Sequence, residues 1–416
     1  MVQQVHIIGA GLSGLAAAVR LAGQGLKVQV HEAAGQAGGR CRSYHDPSLD
    51  MVIDNGNHLL LSANHAALDY VRALGAENML SGPDKARFPF CDLASGARWT
   101  IEISDGRLPW WIFDAARRVP GTRARDYLAL ARLLWPPADA AIGEVVKCSG
   151  PLYERLVRPL MLAALNTEPK EASAALASEI LRETLLEGGA ACRPLIAHEG
   201  LSAAFVDPAL AFLRRHGADI RFGRRLRAID YEAGRAVTLR FGDDDIGLGP
   251  DAAVIVAVPP VVAATLVPDL TVPTDFRAIV NAHFKVAPPS GVAPITGVVN
   301  ATTEWLFAFD DRLSVTVSGA DRLLDIGREE LAQTIWREVA RVAGLPEGDR
   351  LPPWQIVRER RATFAALPAE NRKRPSTAGR WANLFLAGDW TATGLPATIE
   401  GAIRSGFRAA ELVAPA

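Results

Sequence analysis

Gly9, Gly11 and Gly14 follow an apolar run, precede an alanine-rich stretch, and are followed about 20 residues on by Glu32. The chemistry this spacing suits is the holding of a dinucleotide. The first glycine permits a tight turn, the second lets the backbone approach a pyrophosphate, and the third lets a helix pack on a strand. Free N–H groups at the start of that helix, with its dipole, attract the pyrophosphate. The Glu32 carboxylate accepts hydrogen bonds from a ribose and repels a 2′-phosphate. Ala33 follows it. Gly38-Gly39-Arg40 then offers a loop able to pass close to a cofactor and a forked cation for phosphate oxygens. NAD and FAD both fit this spacing. For proton handling the candidates are two imidazoles, His58 and His283, with the Asn281 amide able to bind an oxygen beside them. His58 leaves the turn-forming run Asp54-Asn55-Gly56-Asn57 and enters an apolar stretch.

Particular elements must position these groups. Val5, Ile7 and Ile8 predict a buried parallel strand, Leu12 and Ser13 open the helix, and Val28–Glu32 forms the second strand. Side chains alternate across a strand, so Asn281, His283 and Lys285 share one face of the segment 279–285. Residues 219–229 read as strand, turn and strand. Residues 251–258 read as a β-branched buried strand that Pro259-Pro260 stops. A last buried strand runs from Leu384 to Gly388-Asp389, followed by a helix. Between Arg98 and Pro151 the texture predicts an inserted helical subdomain. There Trp110, Trp111 and Phe113 lie near Arg117, Arg118, Arg123 and Arg125, a mixture that suits membrane headgroups or, equally, a core-facing helix with a solvated basic side.

The bulk properties narrow the classes. The chain has 416 residues and 49% hydrophobic content, room for two or three domains. A net charge of -1 and a pI near 6.7 argue against a nucleic-acid partner. Cys41, Cys91, Cys148 and Cys192 lie far apart, so neither a disulfide framework nor a metal site is expected, and a reducing cytosol is. The apolar start lacks a basic leader. No run reaches the roughly 18 apolar residues of a spanning helix.

In order, the glycine fingerprint, Glu32, Gly38-Gly39-Arg40 and Asp54-x-Gly56 resemble the FAD-dependent amine oxidase and carotenoid desaturase superfamily. The C-terminal run from Leu384 through Gly388-Asp389-Trp390 to Gly406 extends the resemblance. It implies FAD, bound non-covalently. Gly388 and Asp389 would lie near its ribityl and pyrophosphate portion, and Ala397, Thr398 and Ile399 against the flavin ring. Gly56, Asn57 and His58 would pass that ring, and Leu226 would meet the adenine. The implied fold is α/β: a Rossmann-like, doubly wound FAD-binding domain with an inserted α+β substrate domain and a helical subdomain. Its expected segments are 1–75, 196–265 and 381–416 for FAD, and 76–195 and 266–380 for substrate.

A narrower resemblance rests on Pro159 to Thr167, Ala172-Ser173-Ala174, Thr184, Arg358 to Ala365 and Ala387 to Glu400. These are similar to the hydroxysqualene dehydroxylases of bacterial hopanoid synthesis, with Asn57 standing where glutamine is expected. The resemblance implies loss of an allylic hydroxyl from a C30 isoprenoid alcohol and its replacement by hydride. It further implies an external electron donor, upstream squalene-pathway enzymes as neighbours, and a peripheral place on the inner face of the cytoplasmic membrane. His58 is then the first catalytic candidate, and Asn281 with His283 the second, each at the leaving oxygen. Three other readings share the fold: a polyene desaturase, an amine oxidase and a non-catalytic FAD-bound scaffold. Thr398 and Ile399 supply no aromatic ring to frame an amine.

Overall fold

The computed structural model describes residues 2–242, 244–346 and 350–414. A five-stranded parallel sheet forms its base. Strand β1 (Gln4–Ile8) lies between β2 (Lys27–His31) and Ala252–Val256, with Asp219–Arg221 outside β2 and Leu384–Leu386 at the other edge. These strands come from distant parts of the sequence, as buried parallel strands with crossover connections require. Helix α1 (Leu12–Gly23) joins β1 to β2 and is buried along nearly its whole length. It is built from alanine and leucine, strong helix formers that also permit close approach.

Glycines fix that approach. A Cβ at Gly14 would lie 2.0 Å from the Gly9 carbonyl oxygen, and one at Gly406 would lie 2.2 Å from the Ser13 oxygen. The C-terminal helix Ile399–Val413 therefore crosses α1 almost backbone to backbone. On the other face of the sheet, His6 stacks on His31 with ring centres 5.6 Å apart, and His31 meets Phe241.

The second sheet has seven strands, in the order Trp354–Phe364, Phe276–Phe284, Leu313–Val317, Trp305–Ala308, Ile295–Val299, Arg87–Asp92 and Arg98–Glu102. Only Ile295–Val299 with Arg87–Asp92 is a parallel pair. Alternation divides Phe276–Phe284 cleanly. Val280, Ala282 and Phe284 pack with the helix Arg328–Ala343, where Phe284 meets Trp336. Asn281 and His283 face the other way.

The region predicted as helical from Arg98 starts later. Arg98–Glu102 is a strand paired with Arg87–Asp92, because Trp99 and Ile101 alternate inward with period two. Beyond it come short pieces, Trp110–Phe113, Ala124–Leu128, Ala129–Leu134 and Ile142–Val145, then the helices Arg158–Leu165 and Ala174–Glu183.

Candidate active site

The glycine turn has one blocked side and one open side. Gly9 adopts a φ of +107°, and a Cβ there would strike the Ala257 carbonyl at 2.4 Å. A Cβ on Gly11 would meet nothing within 4 Å. The first turn of α1 carries no side-chain cap. Its N–H groups thus open on a free space, the arrangement an anion needs. Glu32 closes the motif: one carboxylate oxygen accepts the Ala10 N–H at 2.7 Å and the other the Ala34 N–H at 2.7 Å. Ala33, between them, is exposed. Gly39, at φ +57°, runs past Gly11, where a Cβ would lie 3.4 Å from the Gly11 Cα. The Arg224 N–H donates to the Glu32 backbone carbonyl at 2.8 Å, which ties the segment leading to buried Leu226 to the residue just after β2.

Arg40 lies deep in the protein, yet 45% of its side-chain surface is accessible. A group surrounded by protein with that much free surface borders a cleft, not the packed core. Its guanidinium bonds Asp389 at 2.6 Å and also the Ala362 carbonyl. His58 has the same character, deep but partly accessible. Burial, with help from nearby Arg40, pushes its pKa down to about 4. The imidazole is therefore neutral at physiological pH. It can offer an N–H to an oxygen but holds no spare proton.

Asn281 and His283 occupy a different place. Their shared face meets the loop at Asn55–Asn57, and both are fully enclosed. The Asn281 oxygen accepts from Thr316 Oγ1 at 2.8 Å and from the Asn57 N–H at 3.4 Å, and its amide nitrogen donates to the Asn55 carbonyl at 3.4 Å. Asn57 donates to Thr316 Oγ1 at 3.2 Å. Gly56 lets the loop pack tightly here, since a Cβ would sit 3.0 Å from the Asn281 amide nitrogen. His283 bonds Ser314 Oγ at 2.9 Å through Nδ1, and burial, then Arg312, pushes its pKa down to about 3. Asn281 holds from beneath the loop that presents His58, and His283 is locked to the neighbouring strand through Ser314. Asn281→Leu removes an amide that binds three partners, and is expected to cost about 2 kcal/mol. Thermal unfolding of the holoprotein checks this; an unchanged midpoint would show that the amide does not secure the loop.

The C-terminal segment is fastened equally firmly. Gly388 N–H donates to Ser405 Oγ at 2.9 Å, and a Cβ on Gly388 would collide with the Trp390 indole. Thr398 caps the last helix by accepting the Gly401 N–H at 3.0 Å, with Ala397 before it and buried Ile399 after it. Two contributors escape a reading of the sequence. Arg374 is buried and donates to the Asp389 and Thr391 carbonyls and to Thr393 Oγ1, binding the whole turn after Gly388. Glu400 accepts the Ala66 and Ala67 N–H groups at the start of α2 (His65–Leu74) and pairs with Arg404, which also grips Glu183. Arg374 sits in a polar run that looks solvated. The i,i+4 spacing of Glu400 and Arg404 is legible, but their burial is not.

Segments that looked like separate family signatures also touch. The Asn166 amide donates to Thr363 Oγ1 at 2.9 Å and accepts the Gly319 N–H at 2.7 Å, while Thr167 Oγ1 accepts the Ala366 N–H at 2.8 Å. Arg40 reaches the same strand through Ala362. The open side of Gly11, the uncapped turn of α1, the carboxylate of Glu32 and the accessible interior around Arg40 and His58 together fit an elongated, anionic cofactor.

This fold and site define a class. The chain matches the family described as flavin containing amine oxidoreductase over residues 12–414 and belongs to it, as a flavin-dependent oxidoreductase. Within that family it groups with the hydroxysqualene dehydroxylases. It is 59% identical over 414 residues to the hydroxysqualene dehydroxylase of Rhodopseudomonas palustris, covering 99% of each chain. It is 46% identical over 407 residues to that of Zymomonas mobilis, covering 98% of each. Among solved structures it resembles in fold a putrescine oxidase double mutant, with TM-score 0.72 and 18% identity, and the cyclohexylamine oxidase of Brevibacterium oxydans, with TM-score 0.72 and 16% identity. Both alignments cover 99% of each chain.

Proposed function

We propose that the protein replaces the allylic hydroxyl of hydroxysqualene with hydrogen, giving squalene, using non-covalently bound FAD. The observation that carries this reading is the 59% identity, end to end, with a relative named for that activity. Bound and reduced, FAD supplies hydride from its ring system. The open side of Gly11 and the first turn of α1 receive the pyrophosphate, and Glu32 takes the ribose hydroxyls. Arg40 and Asp389, already paired, set the charge balance beside it.

In the reaction a C–O bond breaks, a C–H bond forms with the two electrons of the hydride, and the oxygen leaves as water with one added proton. The neutral His58 donates a hydrogen bond to the departing oxygen, which stabilises charge as it develops there. The added proton is drawn from water, and His58 contributes through its hydrogen bond. Asn281 acts on the reaction through the loop, and His283 through the strand beneath it. They are positioning residues.

Product analysis tests the reading. Holoprotein kept reduced by dithionite without oxygen, given hydroxysqualene, is expected to yield squalene as the deoxygenated product over many turnovers. Unchanged alcohol under reduction, with a more unsaturated product from oxidised protein, would replace this reading with that of a desaturase.

A further inference from the structure

Among the described residues, the five most exposed large apolar side chains are Leu108, Trp110, Phe113, Leu128 and Trp135, and all lie between residues 108 and 135. Trp135 is 75% exposed. Apolar surface concentrated in this way marks an interaction site, whereas scattered exposed residues do not.

Contacts tie the short segments that carry these side chains to one another and to the fold. The Trp110 and Phe113 rings lie 6.2 Å apart. Trp111 packs edge-on against Tyr127 at 5.2 Å, which fastens the turn Trp110–Phe113 to the short helix Ala124–Leu128 and so to Leu128. Arg107 pairs with Glu187 at 2.7 Å, which ties the backbone beside Leu108 to the segment that carries exposed Leu186. The Leu134 carbonyl is held by Ser178 and Arg182, fixing the backbone next to Trp135.

Charge identifies the occupant. Residues 107–135 contain six arginines against two aspartates, in a chain whose net charge is -1. Arg123, Arg125 and Arg132 are exposed. Among the described residues no helix is long and apolar enough to cross a membrane. Aromatic rings and arginines on short helical turns suit a surface that is apolar just below an anionic layer.

We propose that this patch seats the protein on an anionic lipid bilayer, with Trp110, Phe113 and Trp135 in the headgroup–acyl boundary and the three arginines at headgroup phosphates. The purpose of such docking rests on the proposed function, whose C30 substrate resides in hydrocarbon. The surface chemistry stands without it.

Co-sedimentation of the full-length, FAD-loaded protein with vesicles tests the proposal. Vesicles of phosphatidylcholine and phosphatidylglycerol in equal parts are expected to bind it, and pure phosphatidylcholine to bind it much less. The triple variant Trp110→Ser/Phe113→Ser/Trp135→Ser is expected to bind the mixed vesicles at least about tenfold more weakly. The triple variant Arg123→Gln/Arg125→Gln/Arg132→Gln is expected to weaken by about tenfold or more and to lose the salt dependence of the parent. The flavin spectrum and thermal midpoint of both variants should match the parent, which separates lost docking from lost folding. Absence of binding to mixed vesicles, or binding that both variants retain, overturns the proposal. So does a dimer in sedimentation velocity that the aromatic variant abolishes while vesicles go unbound. Vesicle binding without dehydroxylation would overturn the reaction and leave the docking surface standing.

Discussion

A Gly14→Ala protein is expected to lose both cofactor and fold stability, whereas Gly11→Ala keeps its fold and loses the cofactor. The two glycines sit three residues apart in one motif, but their surroundings are opposite. A methyl at position 14 would lie 2.0 Å from the Gly9 carbonyl oxygen, a backbone atom that cannot swing aside. Relief requires α1 to move off β1, and α1 is also pinned on its far side, where Gly406 meets the Ser13 oxygen. Overpacking of this kind costs about 3 kcal/mol, a large share of the ~5–15 kcal/mol that keeps a domain folded. A methyl at position 11 meets no protein atom within 4 Å and points into the space assigned to the pyrophosphate. It should weaken FAD binding about ten- to hundredfold while the apoprotein melts with the parent. Flavin titration and apoprotein melting curves measure both. Gly11→Ala binding FAD with parental affinity would show that the pyrophosphate lies elsewhere.

The second large effect is acid lability. The folded protein encloses His6, His31 and His283 as neutral rings. Burial first, then nearby cations and the partner imidazole, pushes the pKa of His6 down to about 4 and that of His31 to about 3, and His283 is held at about 3. Above pH 6.5 these rings are neutral in both folded and unfolded chains, so nothing is lost. Below it, the unfolded chain takes up protons that the folded chain refuses until about pH 4 or 3. Stability therefore falls as pH falls through that window. Each ring removes about 2 kcal/mol by pH 5. Denaturant unfolding at pH 7 and at pH 5 reads the difference. His31→Gln, which does not titrate, should shrink the pH-dependent loss by about 2 kcal/mol whatever it does to stability at pH 7. A variant as acid-sensitive as the parent would contradict the assignment. Carboxylates paired in the folded state shed stability mainly at lower pH, while buried Glu304, whose carboxyl is pushed up to about 7, gains about 2 kcal/mol between pH 7 and pH 5 and offsets about one ring, so the histidines together still set the sign.

Much of the fold is legible because it rests on local rules. The glycine spacing with its flanking strand and acid predicts β1, α1 and β2 and the contrast between Gly11 and Gly14. Pro259-Pro260 predicts the end of the strand Ala252–Val256. Parity along residues 279–285 correctly puts Asn281, His283 and Lys285 on one face, yet parity does not name what the face meets. Lys285 reaches the Leu49 carbonyl at 2.7 Å, Asn281 the loop at Asn55–Asn57, and none of these partners is near in sequence. The same limit hides Arg374, a cation in a run of charged residues whose burial depends on a turn that begins at Gly388. It hides Glu400 as well, since a carboxylate on a helix reads as solvated until the start of α2 is seen to lie against it. The strand Arg98–Glu102 was legible in its alternation, but the aromatic and arginine-rich residues that follow drew the predicted helical region back over it.

The most direct measurement of the central claim is a single anaerobic turnover watched through the flavin. The FAD-loaded protein is reduced stoichiometrically, freed of excess reductant and mixed with hydroxysqualene. The account predicts that the oxidised flavin spectrum returns as one squalene forms per flavin. Flavin that stays reduced beside unchanged hydroxysqualene would contradict it.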